Sequence, residues 1–495
     1  MKNSMKDKME KLTVGLIGSG QLSFPGDKAT QYARSVKEME TFAKTLDFDL
    51  WVYDQHVITE ADAEEAAVAV QANNIDFLML QCTSFSAGFL APVFAKLFKK
   101  CGTRLGLWAI EETMDGTNPV EDGAVPLNSF CSINMYAGII GHYVDNTLPF
   151  KWFYGNAGHP FLDERLGVTI RALTALKNLN NSKTALIGGI APGFNDLYFD
   201  ERTLLNRFDG LKYNRLHEIR EVTDRAKAFS KKEVTAEIEQ LKSLSKDAHP
   251  NALDMLETDA RVYLAFRSFL QAHDYDALAI SCWPHFQQTF EKPFSVCNVI
   301  AQLNDDGIVA ACEGDPISAI SMLMLQYIAK DTTMLMDLSA FDEKDETVLM
   351  WHCGPAAACF AGKRGYTLGG NYSGTPHERG KPPSCTGVAR DMVFGEGPVT
   401  LARLTGENDK MFLAGGAFIE NDKKSFCGSR GWLGSVTFNR EKITVRDFVN
   451  TILVKKFQHH FPIVKGDYGR EVLELCAWLG LGTMEKAAYQ DYLQV

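Results

Sequence analysis

The chain has 495 residues, 45% of them hydrophobic and 23% charged, and its 51 basic and 62 acidic residues give a net charge of −11. This length favours two to four domains over a single core, and the composition is typical of a folded globular protein. Because the basic residues form no runs and no apolar stretch approaches roughly 18 residues, we expect neither a nucleic acid nor a membrane as a partner. Eleven scattered cysteines without a CxxC pair indicate reduced, mostly buried thiols in a cytoplasmic protein.

In the first third of the chain, short apolar runs alternate with amphipathic segments. Strands are predicted at 12–20, 49–54, 75–82 and 104–110, with helices between them. Alternation at this spacing indicates parallel βαβ units with helices on both faces of a sheet. Residues 1–175 are therefore predicted to form an α/β domain.

The same pattern returns at 183–194, and the rest of the chain then becomes rich in β-like runs. Residues 176–345 are predicted as a second α/β domain and residues 346–495 as a C-terminal β-rich domain. The predicted fold class is thus α/β, with two Rossmann-like (flavodoxin-like) parallel-sheet domains followed by a β-rich, barrel-like domain.

Three potential metal ligands follow apolar strands of the predicted central region. Glu313 lies between a strand and a helix that Asp315 is expected to cap, and Asp337 and His352 end the next two predicted strands. If these strands finish at one sheet edge, two carboxylates and an imidazole meet there, a set that suits Mn²⁺, Mg²⁺ or Co²⁺. The alternative is a carboxylate paired with a helix N-terminus and a histidine of purely structural role.

A histidine pair near the C-terminus, in QHHFPIVKGD at 458–467, is the fourth element. Adjacent side chains point in different directions, so at most one of His459 and His460 is expected to join a given site. The alternative is that both lie at the end of a predicted helix, at about 447–458, as partners of its dipole.

These motifs together resemble the L-fucose/L-arabinose isomerase superfamily of metal-dependent ketol isomerases, over nearly the whole chain. The motifs are CEGD at 312–315, the strand ending in Asp337, WHCG at 351–354, HH at 459–460 and CWP at 282–284. The resemblance implies a divalent ion, usually Mn²⁺, held by Glu313, Asp337, His352 and His460.

The resemblance also implies the chemistry, in which a carbonyl moves between C1 and C2 of an open-chain sugar through an enediol. A metal bound to both oxygens favours this proton transfer, and two carboxylates can serve as base and acid. Glu313 and Asp337 are assigned to both ligation and proton transfer, with the division between them left open.

Family members assemble as homo-oligomers, trimers or hexamers, with active sites between subunits. The resemblance therefore implies that Gln21 or Glu112 touches sugar from a neighbouring subunit, and His459 is a further candidate for sugar contact. The substrate is expected to be either a neutral pentose or deoxyhexose or a sulfonated hexose such as sulfoquinovose. Arg379 and Arg430 could recognise an anionic group, or be ordinary solvated charges.

Two other functions are compatible with the sequence. One is a sugar-binding module on the same plan, which needs no metal cluster. The other is a nicotinamide-dependent oxidoreductase using GSGQLS at 18–23, which has two of the three glycines of a dinucleotide fingerprint.

Overall fold

The computed structural model describes residues 9–112, 125–290, 294–370, 387–421, 423 and 426–494. The chain separates into two compact units, Glu10–Thr174 and Ala175–Val495. The three predicted domains, divided at 175 and 345, remain a prediction. Among the helices of the described residues, none is long and apolar enough to cross a membrane.

The N-terminal unit is built on a five-stranded parallel sheet with the strand order β2-β1-β3-β4-β5. This is the order of flavodoxin-like folds, so the prediction of a parallel α/β domain is confirmed here. The helix α6, Pro160–Asn181, follows the last strand. The elements before it are β1 Thr13–Ser19, α1 Lys28–Leu46, β2 Asp49–Val52, α2 Glu60–Ala72, β3 Phe77–Cys82, α3 Leu90–Ala95, α4 Leu97–Cys101, β4 Arg104–Ala109, α5 Ser129–Ile139 and β5 Phe150–Tyr154.

The glycine turn after β1 does not lead directly into a helix. The helix α1 begins only at Lys28, and the side chain of Asp27 caps it by accepting a hydrogen bond from the backbone N–H of Thr30. A dinucleotide site needs a free helix N-terminus at this turn to bind the pyrophosphate. A carboxylate at that position disfavours the nicotinamide alternative.

The C-terminal unit begins with a four-stranded parallel sheet of order β7-β6-β8-β9. A second parallel sheet was predicted and is confirmed. Its elements are β6 Lys183–Ile187, α7 Glu201–Arg207, β7 Lys212–His217, α8 Ile219–Lys227, α9 Lys231–Leu244, α10 Pro250–Leu253, α11 Leu256–His273, β8 Ala277–Ile280, α12 Cys297–Asp305, β9 Val309–Ala311 and α13 Pro316–Ala329.

The rest of this unit is a ten-stranded mixed sheet. Its elements are β10 Thr333–Asp342, β11 Thr347–His352, β12 Ala361–Gly370, β13 Val388–Phe394, β14 Gly397–Leu404, β15 Lys410–Ile419, β16 Ser429–Phe438, β17 Glu441–Lys442, α14 Val445–Val454, β18 His460–Lys465, α15 Gly469–Leu479 and β19 Gly482–Thr483. Because β15 also pairs with β16, the pairings run in a cycle through β16, β11, β10, β18, β14 and β15. The β-rich character is as predicted, and the barrel-like shape remains a prediction.

The expectation that three ligands end three strands at one sheet edge is wrong. Glu313 follows β9 of the parallel sheet, whereas Asp337 lies within β10 of the mixed sheet and does not end it. His460 opens β18 rather than ending a helix, since α14 stops at Val454. Antiparallel pairing supplies the proximity instead, because Asp337 stands opposite His460 on β18.

Candidate metal centre

The first ligand candidate, Glu313, lies in a strained turn between β9 and α13. Its φ of 60° is in the left-handed region, which is unusual for a residue other than glycine and is often found at functional sites. Hydrogen bonds hold this turn, from the N–H of Ala191 to the carbonyl of Glu313 and from the N–H of Gly314 to the carbonyl of Ile280. A Cβ at residue 314 would lie 2.2 Å from the carbonyl oxygen of Gly189, so only glycine fits there.

The Glu313 carboxylate faces the histidine pair. Its Oε2 lies 3.1 Å from His459 Nε2 and 3.3 Å from His460 Nε2. Burial acts to raise the pKa of Glu313, but the hydrogen bonds to both imidazoles outweigh burial and bring the pKa to about 2. Glu313 is therefore ionised at neutral pH, and both histidines contact it. Which of the two histidines binds an ion remains a prediction.

Asp337 and His352 complete the cluster, and each contributes a buried atom without a partner. Asp337 Oδ1, His352 Nε2 and His460 Nε2 make no well-formed hydrogen bond to any described residue. Burial raises the pKa of Asp337. Buried polar atoms are almost always satisfied, so three such atoms in one place indicate a missing partner.

A buried ion pair orients His460 from behind. Asp315 Oδ2 lies 2.9 Å from His460 Nδ1 and 3.0 Å from the guanidinium of Arg403. Burial acts to raise the pKa of Asp315, but the charge of Arg403 and the hydrogen bond to His460 hold it well below its usual value. Burial acts to lower the pKa of His460, and the hydrogen bonds to Asp315 and Glu313 overcome this and raise it to about 9. With Nδ1 directed at a carboxylate, Nε2 is the nitrogen that faces the cluster.

His352 differs from His460 in the partners of its Nδ1 atom. Its Nδ1 accepts a hydrogen bond of 2.8 Å from the backbone N–H of Cys353 and lies 3.2 Å from Cys353 Sγ. A neutral imidazole that accepts at Nδ1 carries its proton on Nε2. Ligation of a neutral His352 through Nε2 therefore requires the ring proton to lie on Nδ1 instead. There the N–H group could donate a hydrogen bond to Cys353 Sγ.

The donor set fits a divalent cation. One ligand atom each from Glu313, His352 and His460 lie within 4.8 Å of one another, and so do one each from Asp337, His459 and His460. Ligands on opposite sides of an ion with bonds of about 2.2 Å are about 4.4 Å apart, so these separations suit a shared ion after small adjustments. Carboxylate and imidazole donors together suit Mn²⁺, Co²⁺ and related ions.

A cavity of about 240 Å³ opens beside this cluster. Glu313, Asp337 and His352 line its polar side. The remaining lining consists of three aromatic residues, three cysteines and two polar side chains, namely Phe194, Trp283, Trp351, Cys282, Cys297, Cys353, Gln287 and Ser295. Aromatic walls with a few convergent polar groups are the usual form of a small-molecule site.

The other predicted sugar-contact residues are Arg430, Glu112, Gln21 and Arg379, of which the structure describes the first three. Arg430 forms an ion pair with Asp391, so its charge is already neutralised. Glu112 accepts hydrogen bonds from the backbone N–H groups of Leu127 and Asn128, at 3.0 and 2.6 Å. Glu112 and Gln21 belong to the N-terminal unit, and their contact with sugar remains a prediction. Arg379 lies outside the described residues.

Sequence reasoning missed the supporting residues Asp196 and Arg403. Asp196 Oδ2 lies 2.7 Å from His459 Nδ1, and its position in the short 3-10 helix Asn195–Leu197 gave no signal in the sequence. The second role of Asp315, beyond capping α13, was also missed. The sequence signal that could have indicated a buried acidic partner is the arginine within the apolar run GPVTLARL at 397–404. The structure buries this arginine, Arg403, completely.

A second group of potential ligands, His217, Glu221 and His273, occurs in the same unit. His217 Nδ1 lies 3.0 Å from Glu221 Oε2, and His217 Nε2 lies 2.7 Å from the hydroxyl of Tyr275. All three members are partly exposed. Both ring nitrogens of His217 therefore already have partners.

The chain is similar over nearly its whole length to proteins named sulfoquinovose isomerase. The protein of that name from Priestia megaterium is 24% identical over 480 residues, 96% of this chain and 99% of the relative. Those from Alkalicoccus urumqiensis and Clostridium sp. (strain MSTE9) are 25% and 26% identical, covering 77% and 82% of this chain and 80% and 85% of the relatives. No family model matches the chain.

Among solved structures, a solute-binding protein from Agrobacterium vitis bound to α-D-tagatopyranose is 12% identical. The match covers 65% of this chain and 90% of that chain, with a TM-score of 0.18. A likeness this low carries no argument about function. The similarity that bears on function is the one to the isomerases, and membership of the L-fucose/L-arabinose superfamily remains a prediction.

Proposed function

We propose that the protein is a metal-dependent aldose–ketose isomerase. The observation that carries the proposal is the convergence of three buried atoms, Asp337 Oδ1, His352 Nε2 and His460 Nε2, around the ionised Glu313. None of the three makes a hydrogen bond of good geometry to a described residue, although His460 Nε2 lies 3.3 Å from Glu313 Oε2. The prediction of a sugar isomerase is borne out by the near-full-length similarity to proteins of that name. The metal, the mechanism and the substrate are the proposed part.

Glu313, Asp337, His352 and His460 would hold the ion, with Mn²⁺ preferred over Mg²⁺ or Co²⁺. A bound divalent ion would polarise the two sugar oxygens and make the hydrogen on C2 more acidic. His460 suits ligation best, because Asp315 accepts its Nδ1 proton at 2.9 Å. His459, held between Asp196 and Glu313, keeps the Glu313 carboxylate in place.

Asp337 is proposed as the group that moves the carbon-bound proton. A raised pKa makes its carboxylate a stronger base than Glu313, whose pKa is lowered to about 2. Asp337 would take the proton from C2, and the electron pair of that C–H bond would form the C1=C2 double bond while O1 gains a proton. Asp337 would then return its proton to C1 as the C2 hydroxyl loses its own proton to become the new carbonyl, so that the net hydroxyl-proton transfer is from O2 to O1 and one carboxylate serves first as base and then as acid.

The aromatic walls are proposed to bind the carbon skeleton of a monosaccharide. Trp283, Trp351 and Phe194 line the same cavity as the carboxylates and offer flat apolar surfaces to a ligand. The names of the relatives favour a sulfonated hexose, sulfoquinovose, over a neutral pentose or deoxyhexose. Arg430 is paired with Asp391 and is therefore not the proposed anion contact.

The proposal includes a cytoplasmic homo-oligomer, a trimer or hexamer, with active sites between subunits. Size-exclusion chromatography with light scattering measures the oligomeric state directly. A monomer at working enzyme concentration that is fully active would contradict the contribution of Gln21 or Glu112 from a neighbouring subunit.

The test is conversion of sulfoquinovose to its ketose, with and without Mn²⁺, after chelator treatment. Glucose is the matched control, since it differs only in a hydroxyl group in place of the sulfonate, and L-fucose represents the deoxyhexoses. We expect Mn²⁺-dependent conversion that is fastest on the sulfonated sugar. Tight sugar binding without conversion would favour the sugar-binding module, and conversion unaffected by metal removal would contradict the metal centre.

A further inference from the structure

Two cysteines from distant parts of the chain meet in the lining of the cavity beside the Glu313 cluster. Cys297 opens α12, and Cys353 follows β11 directly after His352. Their sulfur atoms lie 3.2 Å apart, although the residues are 56 positions apart in the chain. Both side chains line the cavity of about 240 Å³. The pair is therefore within reach of a small molecule that enters this cavity.

The two thiols differ in exposure. Cys297 is 2% exposed, whereas Cys353 is partly exposed. Cys353 also lines a second cavity, of about 340 Å³, together with Trp351. Reagents in solution modify an accessible thiol more readily than a buried one. Cys353 is thus the sulfur that an incoming oxidant meets first, and Cys297 is the neighbouring thiol that can react with the product.

We propose that Cys297 and Cys353 form a reversible disulfide when the protein meets a hydroperoxide, and that this disulfide lowers turnover. In the first step the Cys353 thiol loses its proton and its sulfur attacks the hydroperoxide, whose O–O bond breaks. The products are a sulfenic acid on Cys353 and a molecule of water or alcohol. In the second step the Cys297 thiol attacks the sulfenic sulfur and displaces its oxygen as water. Overall, two thiols lose two electrons and two protons, and the hydroperoxide accepts them.

The bond requires little movement of the two side chains. A disulfide has an S–S bond of about 2.05 Å, so the sulfurs must approach by about 1.1 Å from the observed 3.2 Å. Shared between Cys297 and Cys353, this is a rotation of about 20° in each χ1 angle, within the width of a rotamer well. Disulfides that form transiently in reducing compartments usually have a catalytic or redox-sensing role.

The disulfide would act on the candidate metal centre through His352. Cys353 Sγ lies 3.2 Å from His352 Nδ1, and the backbone N–H of Cys353 donates to the same nitrogen at 2.8 Å. A sulfur tied to Cys297 can no longer adjust to that ring. Loss of support behind a metal-binding histidine typically costs about 10–100-fold in metal affinity or activity, so we expect turnover to fall by at least about tenfold. This consequence, unlike the disulfide itself, rests on the proposed function.

Peptide mapping of the full-length protein tests the bond directly. Reduced protein is treated with a small excess of hydrogen peroxide, the remaining thiols are alkylated, and the digest is analysed by mass spectrometry without reduction. We expect a linked pair of peptides that contain Cys297 and Cys353. Dithiothreitol should abolish the link and restore turnover, because a disulfide is reducible whereas a sulfinic acid is not.

Three variants test the order of attack. Cys297→Ser removes the second thiol, so the sulfenic acid on Cys353 should persist and be trapped by dimedone. Cys353→Ser removes the accessible thiol, so Cys297 should stay unmodified. Cys476→Ser changes a buried thiol of α15 elsewhere in the same unit and is the matched control, in which the linked pair should form as in the wild type.

Absence of the linked pair in peroxide-treated, folded wild-type protein would overturn the proposal. A disulfide between Cys282 and Cys312, whose sulfurs lie 3.0 Å apart, would equally overturn it if Cys297 and Cys353 were found alkylated. A fully linked protein with undiminished turnover would overturn the effect on activity. A linked pair in a protein that converts no sugar would support the disulfide and contradict the proposed function, so the two can fail separately.

Discussion

The C-terminal unit contains two histidine–carboxylate clusters that differ in one decisive respect. In the group of His217, Glu221 and His273, both nitrogens of His217 are already hydrogen-bonded, to Glu221 and to Tyr275. In the group around Glu313, the Nε2 atom of His460 is buried and has no well-formed partner among the described residues. The central histidine of the first cluster is thus satisfied by hydrogen bonds at both nitrogens, whereas His460 Nε2 has only the 3.3 Å approach of Glu313 Oε2.

Proximity of ligand-type residues does not by itself predict a metal site. What distinguishes the Glu313 cluster is the supporting shell, in which Asp315 and Arg403 lie behind His460 and direct its free nitrogen inwards. In the His217 cluster, Glu221 and Tyr275 occupy both ring nitrogens, so no nitrogen of His217 is left to face an ion. We therefore expect substitutions in the Glu313 cluster to lower metal binding and activity, and substitutions in the His217 cluster to leave both unchanged.

The largest effect is expected from Glu313→Gln. Loss of the ionised carboxylate removes a ligand and the partner of both histidines, so turnover should fall by about 10²–10⁴-fold with the fold retained. Glu221→Gln makes the same chemical change in the satisfied cluster and is the matched control. Steady-state kinetics with Mn²⁺ and circular dichroism measure the two properties, and equal activity in the two variants would remove the mechanism.

A smaller effect on metal binding is expected from Asp315→Asn, which changes only the support of His460. Loss of an orienting carboxylate typically weakens metal binding by about 10–100-fold. The change also leaves the buried Arg403 without its charge partner, which should lower the free energy of unfolding by about 3–5 kcal/mol. Isothermal titration with Mn²⁺ and denaturant unfolding measure these quantities.

Because Asp315 is not a proposed ligand, excess Mn²⁺ should largely restore the turnover of Asp315→Asn. Excess Mn²⁺ should not restore Glu313→Gln. Irreversible loss of turnover in folded Asp315→Asn at saturating metal would show that Asp315 acts on the substrate or the ion directly.

The affinity for Mn²⁺ is expected to rise with pH. The pKa of His460 is raised to about 9, so its proton stabilises the metal-free fold below about pH 6.5, and this contribution is lost as the pH rises to about 9. An ion must displace that proton, so Mn²⁺ affinity should rise with pH in this window, by at most about tenfold per pH unit for each proton released. Titrations at several pH values test this, and an affinity independent of pH would exclude His460 as a ligand.

The smallest effect is expected from His217→Gln. The substitution removes hydrogen bonds to Glu221 and Tyr275 and should cost about 1 kcal/mol of stability. Metal content and turnover should stay at wild-type values. A loss of bound metal in this variant would break the comparison, since it would show that a satisfied cluster can still hold an ion.

Much of the site could be predicted because its residues sit in recognisable local contexts. The Glu313–Asp315 segment joins an apolar strand to a capped helix, and the observed cap and helix bounds agree with the prediction. The predicted meeting of the ligands at a common sheet edge is wrong, because Asp337 approaches His460 through antiparallel pairing of β10 with β18. Strand pairing between segments so distant in the chain leaves no local pattern in the sequence.

The parallel sheets were predictable from apolar runs in β1, β3, β6 and β8, since buried strands are apolar throughout. The exposed edge strand β7, with the sequence KYNRLH at 212–217, was not predicted, because it lacks an apolar run. The charged helix α8 at Ile219–Lys227 was missed in the same region. Edge elements gain less from burial, so their sequences carry less of the signal on which prediction depends.

The bond between His460 and Asp315 joins residues 145 positions apart, which has a consequence for the order of events during synthesis. Asp315 and Arg403 are both translated before β18, so their ion pair can form while the ribosome is still adding the C-terminal segment. The histidines arrive last, and only then does the cluster offer its full set of donors. The cluster proposed to hold the ion is therefore complete only in a chain that has been translated through β18, and any metal it binds would be taken from the compartment in which folding finishes.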